Sequence, residues 1–67
     1  MNATDQKKLS KAGYFILRRS DYPHPHIKFK SEANPDSWRR YGDNYPSKAK
    51  RDRSMNRLLK NDKIIED

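Results

Sequence analysis

Two histidines that lie two residues apart, His24 and His26, have the clearest capacity for chemistry in this chain of 67 residues. In an extended segment both side chains point the same way, so the imidazoles could share a metal ion, or one could serve as acid and base. A protein metal site normally needs three or four ligands, and the sequence offers no Cys and no suitable third ligand nearby. Because Gly-rich phosphate loops and nucleophile-elbow motifs are absent too, we expect no metal, no cofactor and no conventional active site.

Clustered cations are the second feature that could carry function. Lys and Arg number 16 against 9 Asp and Glu, which gives a formal net charge of +7. If the segment Ser47–Asn61 is helical, four of its cations, spaced three, four and three residues apart, share one side. We call these four the basic row: Lys50, Arg53, Arg57 and Lys60. Met55, Leu58 and Leu59 fall on the opposite side, so the helix would pack on a core and present the basic row to a polyanion.

Asp52 is the single acid in this predicted helix. It is expected to pair with Lys48, which leaves the basic row without a partner of opposite charge. Further phosphate contacts are predicted from two arginine pairs, Arg18 with Arg19 and Arg39 with Arg40. The aromatic residues next to the second pair, Trp38 and Tyr41, are candidates for stacking on exposed bases or for anchoring a protein partner. For Trp38 the competing interpretation is a plug at the edge of the core.

These residues must be positioned by a small number of elements. The first is a short helix that is capped by Thr4 or Asp5 and ends at Gly13. An antiparallel hairpin over Tyr14 to Lys30 follows, with a turn at its two prolines and one wet, basic face. The segment after Asn34, with Pro35 in its first turn, predicts one or two helical turns or an ordered loop before Gly42. Ser47 then caps the basic helix.

The predicted fold is thus a small α+β domain with a short N-terminal helix, an antiparallel hairpin and a C-terminal amphipathic basic helix. Its length allows one domain, residues 1–67, in which 1–4 and 64–67 are expected to fray, although the last residues are also compatible with an edge strand or a helical extension. The expected core is Leu9, Phe15, Leu17, Ile27, Phe29, Trp38, Met55, Leu58 and Leu59. No apolar run is long enough for a membrane span or a signal peptide, which predicts a cytoplasmic protein without a membrane partner.

Residues Leu9 to Lys30, L-S-K-A-G-Y-F-I-L-R-R-S-D-Y-P-H-P-H-I-K-F-K, resemble the opening helix and hairpin of the HicA family of toxins that cleave messenger RNA. The resemblance covers about a third of the chain. It implies a fold like that of double-stranded-RNA-binding domains and a catalytic His at the position of His24 or His26. The family's Gly-Ser before that His is replaced here by Asp21-Tyr22-Pro23, and its third strand is not recognisable in the residues that follow the hairpin.

Three classes of function follow. The first is a non-catalytic protein, accessory or regulatory, that binds the backbone of DNA or RNA without visible sequence specificity. The second is an interaction module or inhibitor that docks a basic surface on an acidic protein. The third, a small ribonuclease of HicA-like type, is implied by the resemblance alone. The single sign of charge in the basic row favours the first class. Because the chain lacks a base-reading motif, the sequence does not distinguish DNA from RNA.

Overall fold

Two helices and four strands make up the protein, whose computed structural model describes residues 2–67. Their order is α1 (Ala3–Lys11), β1 (Phe15–Ser20), β2 (His26–Ser31), β3 (Asn34–Tyr41), α2 (Lys48–Leu58) and β4 (Ile64–Glu66). The predicted α+β class is confirmed. Within the described residues, no helix combines the length and apolarity that crossing a membrane requires.

Both helices begin at a capping side chain. Ser47 caps α2 as predicted, since its Oγ accepts a hydrogen bond from the Lys50 amide at 3.2 Å. The cap of α1 is Asn2, whose Oδ1 accepts from the Asp5 amide at 2.8 Å, so the prediction of Thr4 or Asp5 was wrong by two residues or more. After α1, Gly13 takes a φ of +96°, which lets the chain turn directly into β1.

The strands form one mixed sheet in the order β3-β2-β1-β4. β1 and β2 are the predicted antiparallel hairpin, with Leu17 opposite Phe29. β4 runs parallel to β1 and extends the other side of the sheet, with Ile65 opposite Ile16. The last residues thus adopt the edge-strand alternative. Helix α1 and strand β4 include residues 3–4 and 64–66, where the sequence analysis expected fraying.

Strand β3 replaces the helical turns or loop predicted after Asn34. It pairs regularly with β2 from Ile27 opposite Tyr41 to Phe29 opposite Arg39, and the next pair is Ser31 with Asn34, so four residues of β3 lie opposite a single residue of β2. Such a bulge on an edge strand tolerates a proline, because no ladder bond needs its missing N–H. The Asn34 side chain closes the bulge instead of capping a helix, since it accepts from the Ser31 hydroxyl at 2.9 Å.

The sheet separates two packing layers. Strand alternation places Leu17 and Ile27 on one face, where they form the apolar cluster with Met55 of α2. The opposite face carries the fully buried Ile16 and the buried Lys30, whose Nζ donates to Gln6 of α1 at 2.7 Å. Helix α1 therefore covers one face and α2 the other.

This arrangement corrects the expected core and the expected wet face of the hairpin. Phe15 was predicted to be buried but is 45% exposed, because it lies on the α2 face beyond the reach of that helix. The hairpin face that was expected to be wet carries Ile16, which is buried under α1. Leu9 and Trp38 are only half-buried and lie outside the apolar cluster, which Phe29, Leu58 and Leu59 join as partly buried members.

Candidate nucleic-acid interface

The basic row lies on the solvent side of α2 and of the turn after it. Its four side chains are exposed, and Lys60 lies two residues beyond Leu58, the last helical residue. None of the four has a carboxylate within 4.0 Å among residues 2–67. The row is therefore an uncompensated strip of positive charge on the face of α2 that the sheet does not cover.

The inner side of α2 holds a cation that the sequence analysis missed. Arg51 is 5% exposed, donates to the main-chain oxygen of Ser20 at 2.8 Å and pairs with the Asp21 side chain. It also donates from Nε to Asp52 at 3.1 Å. Arg51 lies four residues before the buried Met55, and this spacing on one helix face was the signal that could have identified it. The residue fastens α2 to the end of β1.

The ion pair between Arg51 and Asp21 shifts the pKa of both groups. The hydrogen bond from Arg51 holds the pKa of Asp21 below its usual value. Reciprocally, the hydrogen bond to Asp21 raises the pKa of Arg51. Lys48 also lies 3.5 Å from Asp21 and not beside Asp52, so the predicted Lys48–Asp52 pair was wrong. Asp52 instead pairs with Arg51 and, at 3.2 Å, with Arg19, which still leaves the basic row without an acid partner.

The first arginine pair is divided between the two faces of the sheet, as alternation requires for adjacent strand residues. Arg18 lies on the α1 face, where its Nε donates to the Asp67 side chain at 2.9 Å. Arg19 lies on the α2 face, where its guanidinium is 3.2 Å from the Asp52 carboxylate and 3.1 Å from that of Glu66. Both are neutralised by acids of the same chain, so they contribute less to an anion-binding surface than the sequence analysis expected.

The second pair is divided in the same way but keeps its charges exposed. Arg39 pairs in register with Phe29 and shares the α2 face, whereas Arg40 pairs with Lys28 on the α1 face. Arg40 donates to the neutral Asn44 side chain at 2.7 Å. For Arg39 no ion pair or side-chain hydrogen bond exists within residues 2–67. Both remain available to an anion, on opposite sides of the sheet.

The two aromatic candidates differ in accessibility. Trp38 is half-buried on the α1 face, where Arg18 lies 4.5 Å and Lys30 4.9 Å from the ring centroid. Its ring is thus already in contact with the protein's own cations. Tyr41 is 42% exposed on the α2 face and meets Phe29 edge-on at 6.1 Å. Of the two, Tyr41 is the one with a ring open to a base.

The histidines do not form a matched pair. His24 is exposed, whereas His26 is 2% exposed and its Nδ1 lies 2.6 Å from the main-chain oxygen of His24. One ring nitrogen of His26 is therefore engaged by the backbone. Within residues 2–67, no three His, Asp or Glu side chains are grouped so that they could hold a metal ion.

Comparison with protein-family models, with curated proteins and with solved structures finds no match to this chain. The function must therefore be inferred from the arrangement of the side chains themselves.

Proposed function

We propose that this protein binds nucleic acid, without catalysis, through contacts between the basic row and backbone phosphates. The observation that carries the proposal is the absence of any acid partner for the row among residues 2–67, on a helix whose inner side is fixed to the sheet by Arg51 and Met55. Lys and Arg that face outward release counterions when they neutralise phosphates, and this release drives association.

The distribution of acids supports this proposal. Ion pairs hold Asp21, Asp52, Glu66 and Asp67 close to arginines that anchor the fold. These acids are thereby engaged away from the basic row and do not compensate its charge. A solvated helix face with no ligand normally mixes both signs, whereas the row has only one. Phosphate contacts position a protein without reading bases, so the proposal extends to DNA and RNA alike, in an accessory or regulatory role.

The test is the salt dependence of binding to mixed-sequence RNA and to DNA. In the triple variant Lys50→Ala, Arg53→Ala, Lys60→Ala, the slope of log affinity against log salt should become shallower by about two to three units. A control with the same loss of charge replaces three lysines of α1, Lys7, Lys8 and Lys11, by Ala. If both variants lose affinity equally, net charge alone drives binding and the basic row has no special role.

A second candidate is the ribonuclease activity implied by the resemblance to HicA, and one structural observation favours it. The opening helix and hairpin lie where the resemblance places them, and a third strand, β3, follows the hairpin although the sequence showed none. His24 is the exposed member of the pair, and His26 is held at the start of β2. Expression of the wild type would then arrest growth and a His24→Ala, His26→Ala variant would not. Equal growth of both strains excludes this activity.

An acidic protein is the third class of partner, and the same charge would speed its encounter with the basic row. Nuclease treatment separates it from the main proposal. If a complex recovered from the native cell survives nuclease and contains a specific acidic protein, that protein and not nucleic acid is the partner.

A further inference from the structure

A row of three aromatic rings crosses the α2 face of the sheet next to that helix. Phe15 of β1 lies 6.3 Å from Phe29 of β2, and Phe29 lies 6.1 Å from Tyr41 of β3, measured between ring centroids. The register explains the line, because Phe29 is opposite Leu17 and Tyr41 is opposite Ile27, so each ring meets the next on the diagonal. We call these three residues the aromatic row.

The two ends of the aromatic row are open to solvent. Phe15 is 45% and Tyr41 42% exposed, while Phe29 between them packs against the apolar cluster and is half-buried. Among residues 2–67 the only other large exposed apolar side chain is Tyr22, which lies in the turn between β1 and β2. Two exposed rings joined through a third ring are an unusual use of apolar surface in a chain with so few large apolar residues.

A surface depression adjoins each end of the aromatic row. The one at Phe15 has a volume of about 370 Å³, and the one at Tyr41 about 190 Å³. Residues Tyr45, Ser54, Arg57 and Leu58 complete the second depression, so a member of the basic row borders the exposed tyrosine. The aromatic row and the basic row therefore meet at Tyr41.

Positive charge accompanies the rings at this end. Arg39 is exposed, shares the α2 face with the aromatic row and pairs in register with Phe29. Arg57 is exposed as well, and neither arginine has an acid partner among residues 2–67. At the opposite end Glu32 lines the depression beside Phe15 and disfavours a phosphate there. The unpaired charges beside the rings are therefore Arg39 and Arg57, whereas the Phe15 end carries an acid.

The geometry points to single-stranded nucleic acid as the ligand, with bases stacked on Phe15 and Tyr41 and phosphates bound by Arg39 and Arg57. This inference rests on the proposed function and specifies its ligand. An aromatic side chain can stack on a base only where that base is not already stacked in a duplex, so the row selects single strands, loops or ends. Stacking tolerates any base, which agrees with a surface that lacks a base-reading pattern.

The test compares a short mixed-sequence RNA, the same sequence as DNA and the corresponding duplexes by fluorescence anisotropy. Phe15→Leu and Tyr41→Leu keep an apolar side chain but remove the ring, and each should weaken single-strand binding roughly tenfold. Duplex binding should stay within about twofold, because it depends on phosphates. Tyr22→Leu is the control, since it removes a ring that is even more exposed, at 86%, but lies outside the row, and it should change neither affinity.

Two further variants test the separate roles of the ring and of the arginine. Tyr41→Phe keeps the ring and should retain full affinity, which separates stacking from a hydrogen bond of the hydroxyl. Arg39→Gln should make the salt slope for single strands shallower by about one unit. Circular dichroism melting curves establish that each variant is folded, as expected for side chains that are largely outside the core.

The experiment distinguishes failure of the stacking inference from failure of the proposed phosphate binding. If both leucine variants bind single strands like the wild type while the triple variant of the basic row does not, phosphate binding stands and the aromatic row has no part in it. If the wild type sediments as a dimer that Phe15→Leu and Tyr41→Leu dissociate without loss of affinity, the row is a self-association surface. Absence of all nucleic-acid binding contradicts both proposals.

Discussion

The two faces of the sheet are built by opposite chemistry. On the α2 face, Leu17, Ile27 and Met55 form a cluster in which each side chain is at most 2% exposed. On the α1 face, Ile16 is buried beside polar groups, and Lys30 is only 6% exposed and donates a hydrogen bond from its ammonium to Gln6 of α1. Alternation placed Lys30 on the face that was expected to be wet, but α1 covers that position. A cation on a strand therefore faces water only where no helix packs over it.

The same comparison separates structural cations from those available to a ligand. Arg51 and Arg19 on the α2 face, and Arg18 and Lys30 on the α1 face, are each engaged by a group of the chain. The basic row and Arg39 are not. The total number of cations therefore overstates the number that can bind a ligand. The functional proposal depends on the cations that have no partner within the chain.

The largest expected effect comes from breaking the apolar face. Met55→Ala empties a fully buried position between the helix and the sheet and should lower the free energy of unfolding by about 3 kcal/mol. Urea denaturation measures the change. Met55→Leu, which conserves volume, should cost less than about 1.5 kcal/mol. Similar losses in both variants would mean that the cluster is not closely packed.

The next effect tests the charged anchor on the same side of the sheet. Arg51→Met keeps most of the side-chain volume but removes the hydrogen bonds to Ser20, Asp21 and Asp52. We expect a loss of about 2 kcal/mol in urea denaturation, typical for hydrogen bonds that involve a charged group. Arg53→Met, on the exposed side of α2, is the control and should leave stability within about 0.5 kcal/mol.

Acid should weaken the fold through carboxylates on both faces. Partial burial acts to raise the pKa of Asp67, but the hydrogen bonds from Arg18 and Gln6 outweigh it and hold the pKa below its usual value. The pKa of Asp21 is lowered as well. Because both values are lower in the folded state, the stability they contribute is complete at neutral pH and is lost as the pH falls below about 4.

Stability measured against pH checks this expectation. Asp67→Asn should be less stable than the wild type at neutral pH, and the difference should shrink on acidification. A difference that stays constant from neutral pH to pH 3 or so would show that the charge of Asp67 contributes nothing.

The smallest expected effect concerns the polar face. Trp38→Leu removes the ring that Arg18 and Lys30 approach and should cost about 1 kcal/mol through the lost cation–π contacts. Trp38→Phe keeps a ring and should recover part of this loss in the same denaturation assay. If the leucine variant is as stable as the wild type, the contacts are neutral and the α1 face depends on Ile16 and α1 alone.

The hairpin and α2 could be predicted because local signals and tertiary structure agree there. Alternating residues on both sides of the proline turn predict β1 and β2, and Ser47 before a run of helix formers predicts the start of α2. The exposure of the basic row also follows from its spacing relative to Met55. These features depend on residues close together in sequence.

Strand β3 and the interior of the α1 face could not be predicted, because their environment is supplied by distant segments. Asn34-Pro35 has the local signature of a helix start, yet the free edge of β2 provides the hydrogen bonds that draw the segment into the sheet. On its own face of the strand Ile16 lies between Tyr14 and Arg18, and it is buried because α1 packs over it. The aromatic row was missed for the same reason, since Phe29 comes to lie between Phe15 and Tyr41 only through the register of three strands.

The most direct test of the central claim is a nitrogen-15 NMR titration of the protein with a mixed-sequence single-stranded RNA. We expect that backbone and arginine side-chain signals of the basic row shift together with those of Arg39 and Tyr41, and that signals of Lys8 and Lys11 in α1 stay in place. Shifts confined to α1, or no shifts at RNA concentrations well above that of the protein, would contradict that claim.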